Sequence, residues 1–465
     1  MTSILSGLAT VQQALTAEQF ALSIAQNNVA NVNDPNYTCQ NVVFTPVGDD
    51  SGSGDSGASI QTSRDRYLDY SITQELPSLG ENTAASNALQ QVDAIFGGSS
   101  GGSLQQALSN FFNSFSSLSG SPEDLSLRQG VISSADDLVT EIQGAYRAIQ
   151  QVQSSADGSV KDDVDSINSI TAQIADLNQK IADGRQSSPS AESTLQDNRQ
   201  QLLEQLSNLV GISYTETESG AVTVTTQQGG VLVLGNESND LTVTHSGDNA
   251  FWSVQLNGAD ITDQLQSGDL GGQINLRDNT LSGYLNALDN LAATITSSVN
   301  NQQAQGTDLN GQTGVPLFTP FVQAVPGSNT GAASAMSVAI TDPSQIAAAA
   351  PGAGVADNTN AQLLAGLGNE NLFAGSTQTA TQYYAQLLYQ VGEDESNAEN
   401  GVQTQTSLVQ QLKSQRASES GVDLNEEAAN IMQYQQAYQA SSQMAKVLDD
   451  LSADILNFIG TDTVA

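Results

Sequence analysis

Apolar positions recur at alternating intervals of four and three at both ends of the chain. Ile4, Leu8, Val11, Leu15, Glu18, Leu22, Ala25 and Val29 form one series, in which Glu18 is the single charged member. Ile431, Tyr434, Tyr438, Ser441, Ala445, Leu448, Leu451, Ile455 and Phe458 form the other. This period predicts two helices of about four heptads, each with the narrow apolar stripe of a coiled coil rather than the broad face of a globular helix. Each would span ~40 Å at ~1.5 Å per residue. So narrow a stripe does not hold a lone helix together in water. Each helix needs a partner, and the nearest candidate is the other terminus.

Between the ends, the first helix stops in the turn Asn31–Pro35, and Gly48–Gly57 reads as a flexible acidic loop. Helical spacing returns at Ser86–Phe96 and, after a Gly97–Ser103 linker, at Leu104, Leu108, Phe111, Phe115 and Leu118. Ser121-Pro122-Glu123-Asp124 has the chemistry of a helix start, with a cap, a proline at the first position and carboxylates at the positive end of the dipole. One helix is expected over Val131–Val152, and others at Val160–Ile181, Ala191–Leu209 and Asn279–Val299. From Gly211 to about Gln273 the pattern changes to short β-branched runs, Ala221–Thr226, Val231–Leu234, Leu241–His245 and Trp252–Leu256, separated by Gly/Asn/Asp turns. Gly306–Pro351 is rich in Gly, Pro and Ala, with short strands expected at Met336–Ile340, and helices resume at Ser376 with a break near Gly421.

The expected fold is therefore mainly α. It is an elongated multi-domain rod whose N- and C-terminal helices pair as an antiparallel coiled coil, with a small antiparallel β domain inserted mid-chain. The expected divisions are 1–45 for the N-terminal helix and turn, which pairs with 425–465, and 46–210 for the first half of the helical body. The β insertion follows at 211–275, then helical body at 276–305, an irregular Gly/Pro-rich segment at 306–375, the returning body at 376–424 and the C-terminal helix at 425–465.

Composition narrows the function. Fifty Asp and Glu against 12 Lys and Arg leave a net charge of −38, which repels a phosphate backbone and so excludes nucleic acid as a partner. It disfavours an anionic membrane surface for the same reason. No run of ~18 apolar residues offers a membrane span, so no membrane insertion is expected. The first basic residue is Arg64, which leaves no positive n-region for a secretory signal. One cysteine, Cys39, and one histidine, His245, leave disulfides, Cys-rich metal sites and most catalytic constellations without ligands.

Candidate chemistry fades on inspection. Gly97-Gly98-Ser99-Ser100-Gly101 spells a nucleophile elbow, but a helical pattern precedes it where a buried strand is required. The acid pairs Asp136-Asp137, Asp162-Asp163, Glu426-Glu427 and Asp449-Asp450 sit on helices, where sequence neighbours do not face each other, and are expected on solvated faces. Asp308-Leu309-Asn310-Gly311 has a calcium-loop flavour without the later glutamate, and reads as a turn. Tyr434 and Tyr438, with Met444 nearby, read as packing residues. No catalytic residue, cofactor or metal is expected, and what remains is packing surface.

That surface carries a resemblance. Asn27-Asn28-Val29-Ala30-Asn31-Val32-Asn33-Asp34-Pro35-Asn36-Tyr37 resembles the end of the first helix in the axial proteins of the bacterial flagellum, and Ser420–Asn430 followed by Tyr434–Ser441 resembles their C-terminal helix. Leu104–Leu108, Phe111-Phe112, Pro122-Glu123-Asp124 and Arg128 are similar to the hook-associated protein 1 family of hook–filament junction proteins, as are Asp308–Gly311 with Pro316-Leu317-Phe318 and Ile340–Ser344. The chain departs from that pattern at Asn36 and Cys39, where the family usually has Gly and Arg.

The resemblance implies a structural, non-enzymatic protein, exported unfolded through the flagellum's own type III pathway and placed, extracellular, between hook and filament. It implies as partners further copies of itself in a ring-like oligomer, hook protein, the second hook–filament junction protein, and an export chaperone on the C-terminal helix. The expected assembly interface comprises Leu8, Val11, Leu15, Leu22, Asn28, Tyr434, Tyr438, Leu448, Leu451 and Ile455. The same residues could instead serve only to hold the two ends of one chain together. Competing readings are another axial protein (flagellin or the second junction protein), a flagellum-borne adhesin, or an enzyme housed in the insertion.

Overall fold

The computed structural model describes residues 2–44, 58–97, 102–184, 189–218, 220–245, 251–373 and 375–461. The first helix, α1 (Thr2–Ala30), ends where Asp34 folds back on itself, its Oδ1 accepting from the Asn36 N–H at 2.9 Å. An antiparallel hairpin that periodicity had not suggested follows, β1 (Gln40–Phe44) with β2 (Ala58–Thr62), pairing Gln40 with Thr62 and Phe44 with Ala58. The loop expected at Gly48–Gly57 lies outside the described residues, as does most of Gly97–Gly101.

The helix expected from Ser86 begins twenty residues earlier, as α2 (Arg66–Ile95), capped by the Asp65 carboxylate on the N–H groups of Tyr67 and Leu68. Pro77 and Gly80 in its middle argue locally against a helix. Gly80 is required by packing, because a Cβ there would overlap the carbonyl oxygen of Asn208 and press on the Asp269 N–H. α3 (Gly102–Gly120) leads to α4 (Leu125–Gly184) and α5 (Pro189–Leu209). Two helices were expected where α4 runs unbroken for 60 residues, roughly 90 Å. Its weak stretch around Asp157-Gly158 is held from outside: the Asp157 Oδ1 accepts from the Trp252 N–H at 2.8 Å and from Arg277 Nη1 at 2.7 Å. α4 starts later than Pro122. Asp124 serves its first turn, with Oδ1 accepting from the Ser126 N–H at 2.7 Å. Pro122 instead offers its carbonyl to the buried Arg128 (Nε to O, 2.6 Å), whose Nη1 donates to the Ile346 carbonyl.

The β insertion is two sheets rather than one. β3 (Ile212–Glu216), β4 (Val222–Thr226), β5 (Val231–Leu234) and β6 (Glu237–Ser238) pair in that order, as do β7 (Leu241–His245), β8 (Trp252–Leu256) and β9 (Ala259–Asp260). Two asparagines dock them on α4. Asn168 exchanges both bonds with the Leu241 backbone at 2.8 Å, and Asn178 donates to the carbonyls of Val222 and Gly235 at 2.8 and 2.7 Å. His245 stacks on Trp252 with ring centroids 3.8 Å apart.

α6 (Gly268–Asn275) passes through a π turn into α7 (Leu281–Gln303). The irregular segment beyond contains α8 (Ala332–Ala335) and α9 (Thr359–Gly366). The strands expected at Met336–Ile340 reduce to one isolated bridge, Phe318 with Val338, while Met336 and Ile340 themselves plug the core. α10 (Ala380–Ser420) begins with a Thr379/Gln382 capping box, and α11 (Leu424–Thr461) follows the break at Gly421.

α4 threads two cores. Its first half, Val131 to Val152, packs with α2, α3, α7 and α10, while Val160 to Ala175 packs with α5, α6 and the sheets. The body is thus one continuous helix clad by two apolar clusters, and the terminal pair lies outside both.

Candidate assembly site

α1 and α11 run antiparallel side by side. Asn28 meets Glu427, Gln19 Nε2 donates to the Tyr438 hydroxyl at 3.1 Å, Ser441 Oγ donates to Glu18 Oε1 at 2.9 Å, and Leu448 lies beside Gly7. The centre of the contact is an alanine ladder. Ala17, Ala21 and Ala25 are buried with Val11 and Ile24, Ala21 completely. Small side chains let the two backbones approach closely. The larger residues expected on the seam flank this line: Leu8, Leu15 and Leu22 on α1, and Tyr434, Leu448 and Ile455 on α11, are half-buried. Tyr438 is at the exposed edge and Leu451 is 47% exposed. The signal that would have found the ladder is the spacing of Ala14, Ala17, Ala21 and Ala25 by three and four.

Asn28 sits elsewhere in the logic of the site. It is 1% exposed, and its amide is engaged within the chain: Nδ2 donates to the Gln40 carbonyl and to Glu427 Oε1, both at 2.9 Å, while Oδ1 accepts from the Tyr37 hydroxyl at 2.8 Å. It latches α1, the turn and α11 together. Beside it lies Cys39, with its Sγ 3.6 Å from Glu427 Oε1. Burial, and then the neighbouring Glu427 carboxylate, push the thiol up to about 12, so it stays protonated and unreactive. Burial likewise raises Glu427 above the usual carboxylate range.

The terminal pair meets the body at a buried ionic joint that periodicity does not reveal. Arg416, near the end of α10, reaches Glu204 on α5, Asp69 on α2 at 3.3 Å and Asn36 in the turn at 3.3 Å. Arg64 pairs with Asp197 on α5, and Asp197 accepts from the hydroxyl of Thr38 at 2.7 Å. Lys413 adds a second cation on Glu204 at 3.0 Å. Burial lifts the Asp69 and Asp197 carboxyls, with the arginines pulling them back. A void of about 180 Å³ lies within the joint, between the Asn31–Pro35 turn, Arg64 and Arg416. The available signal was scarcity. With only 12 basic residues in the chain, several are committed to internal carboxylates.

The rest of α11 faces away from α1. Met432, Met444 and Val447 are each 57–59% exposed, and Phe44 from the hairpin lies over Tyr434, ring centroids 6.1 Å apart. Glu18 is the only charged residue of α1, whereas α11 carries Lys446, Asp449, Asp450 and Asp454 exposed among these apolar side chains. Such a surface offers apolar packing area. Among the described residues no cluster of His, Cys, Asp and Glu could hold a metal ion, and no helix is long and apolar enough to cross a membrane.

Comparison with known proteins points one way. A family model described as the helical domain of flagellar hook-associated protein FlgK matches residues 89–318, and one for the C-terminal region of flagellar basal body rod FlgEFG proteins matches 401–458. The chain is 27% identical to flagellar hook-associated protein 1 of Bacillus subtilis, with 99% of each chain covered. To that of Escherichia coli it is 25% identical, over 95% of this chain and 98% of the relative. In fold it is similar to the flagellar hook junction protein FlgK from Burkholderia pseudomallei, with a TM-score of 0.66 at 19% identity, over 75% of this chain and all of the other.

Proposed function

The chain belongs to the hook-associated protein 1 family of flagellar proteins, and from that premise we propose how its geometry serves the junction between hook and filament. It is a structural subunit of the bacterial flagellum. The observation that carries the reading is the α1/α11 pair, bound to the body by a polar joint and leaving Met432, Met444, Val447 and Leu451 of α11 exposed to water. A flank of that kind is satisfied by helices of other copies. Terminal pairs packed together form a ring-like inner layer, and the acidic body faces outward, where water screens its charge. The inner layer then offers one end to hook protein and the other to the second junction protein. Before assembly, the exposed methionines and Val447 of α11 suit the hydrophobic groove of an export chaperone, and the subunit leaves the cell through the flagellum's own type III pathway. Neither the seam nor the joint supplies reactive chemistry, so the role is mechanical.

Location is tested by immunogold labelling of intact flagella with antibody against the β insertion. A single label at the hook–filament boundary is expected, and labels along the filament would make the chain a flagellin instead. The seam is tested with Leu15→Asp and Leu448→Asp combined, which places two carboxylates on the half-buried flank. Incorporation into flagella is expected to fall at least tenfold with the sheets intact by circular dichroism. Normal incorporation of that double variant would remove these residues from the interface.

A further inference from the structure

A second contact surface lies on the body, far in sequence from the terminal helices. Over the whole chain 13% of residues are charged, but from Asn290 to Thr341 the only charged residue is Asp308, and it is buried. Its carboxylate is turned inward, accepting from the N–H groups of Asn310 and Gln312 at 2.8 Å. This stretch forms an uncharged face containing a groove of about 520 Å³ between α7 and the loop after Phe318, lined by Thr296, Asn300, Pro316, Pro320, Phe321 and Asn329. At its rim Val322 is 84% and Val325 63% exposed, with Val315 at 42%. A second groove, of about 390 Å³ and also lined without charged side chains, continues from Ala304 to Leu363.

We propose that this face is a contact between bodies of neighbouring copies of the chain. The charge of the protein selects that occupant. A basic partner would be drawn to the acidic remainder of the surface and repelled by nothing there. A partner that itself carries −38 can approach without like-charge repulsion only where the surface has no charge, and a second copy is such a partner. Exposed valines beside an open, neutral groove supply the apolar area that such a contact removes from water. The inference rests on the assembly reading above, which brings copies side by side.

The test places p-benzoylphenylalanine at position 322 of the full chain, and separately at position 444 on α11, in flagellated cells, followed by irradiation and mass analysis of the flagella. An adduct of two copies, at twice 48.4 kDa, is expected from both positions. Self-adducts from position 444 with none from 322, or an adduct from 322 to a different protein, would overturn this face and leave the terminal seam standing. Absence of self-adducts from both positions would overturn the two together. Val322→Asp with Val325→Asp, at sites too exposed to disturb folding, is expected to reduce the junction's resistance to shear or acid dissociation at least several-fold. Unchanged resistance would count against the face.

Discussion

Arg416→Ala is expected to destabilise the joint between the terminal pair and the body by about 3–5 kcal/mol, the range for removing one partner of a buried ion pair. The guanidinium meets two carboxylates, Glu204 and Asp69, both buried, and also holds Asn36 of the turn. Without it those carboxylates remain in low dielectric with only Lys413 and Arg64 nearby, so the loss exceeds that of a surface pair. Arg416→Lys should recover only part, because a single ammonium does not reach all three groups with the planar fork of arginine. A chain with two cores and an outlying helix pair does not unfold in one step. The appropriate measurement is therefore hydrogen exchange at Tyr37–Gln40 and along α11, where faster exchange is expected while α4 stays protected. Unchanged protection there would show that the joint holds nothing. The double-mutant cycle with Glu204→Gln should return a coupling well above that of a surface pair.

Asp163→Asn is expected to stabilise the protein at pH 8. Asp163 lies on α4 near Asp269 of α6, 9% exposed, with Oδ2 buried and unpartnered. Burial first, then the negative charges of Asp269 on α6 and of its neighbour Asp162, push its carboxyl up to about 7 from the ordinary 3.8. The sign follows from proton linkage. Between those values the folded state holds a proton that the unfolded state has released, so this group's contribution to stability is complete at low pH and is lost as pH rises from about 4 to about 7. At ~1.4 kcal/mol for each pH unit of that interval, the loss is up to about 4 kcal/mol. The asparagine variant carries no charge to bury, and its unfolding midpoint should rise at pH 8 and match the parent near pH 4. Urea unfolding at the two pH values, with exchange of Val160–Ala175 as local readout, checks this. An equal pH dependence in both proteins would show that the carboxyl is ionised and content in the fold.

Those two side chains mark where sequence reasoning stops. Acid pairs on a helix are expected to be solvated because neighbours face different ways. That holds for Asp136-Asp137 and Asp449-Asp450, but the same geometry turns one member of Asp162-Asp163 and of Glu426-Glu427 inward. Which member depends on what packs against the helix. Periodicity likewise found the helices with unbroken stripes and missed the first half of α2, where Pro77 and Gly80 oppose helix formation and only the close approach of α5 and α6 explains the glycine. It divided α4 at its weakest stretch, which contacts from Trp252 and Arg277 sustain.

The amino-acid order alone determined what is local or compositional. Its spacing of four and three made both ends helical and in want of partners, and its runs of valine and threonine with glycine turns made strands mid-chain. It also carried the resemblance, because Asn28 and the turn after it are specified residue by residue. The alanine ladder at the centre of the terminal pair, the inward carboxylates and the arginine joint were decided only in three dimensions. Each depends on a surface contributed from more than a hundred residues away, and burial, which sets the cost of a charge and the value of a small side chain, is a property of that surface and not of the residue.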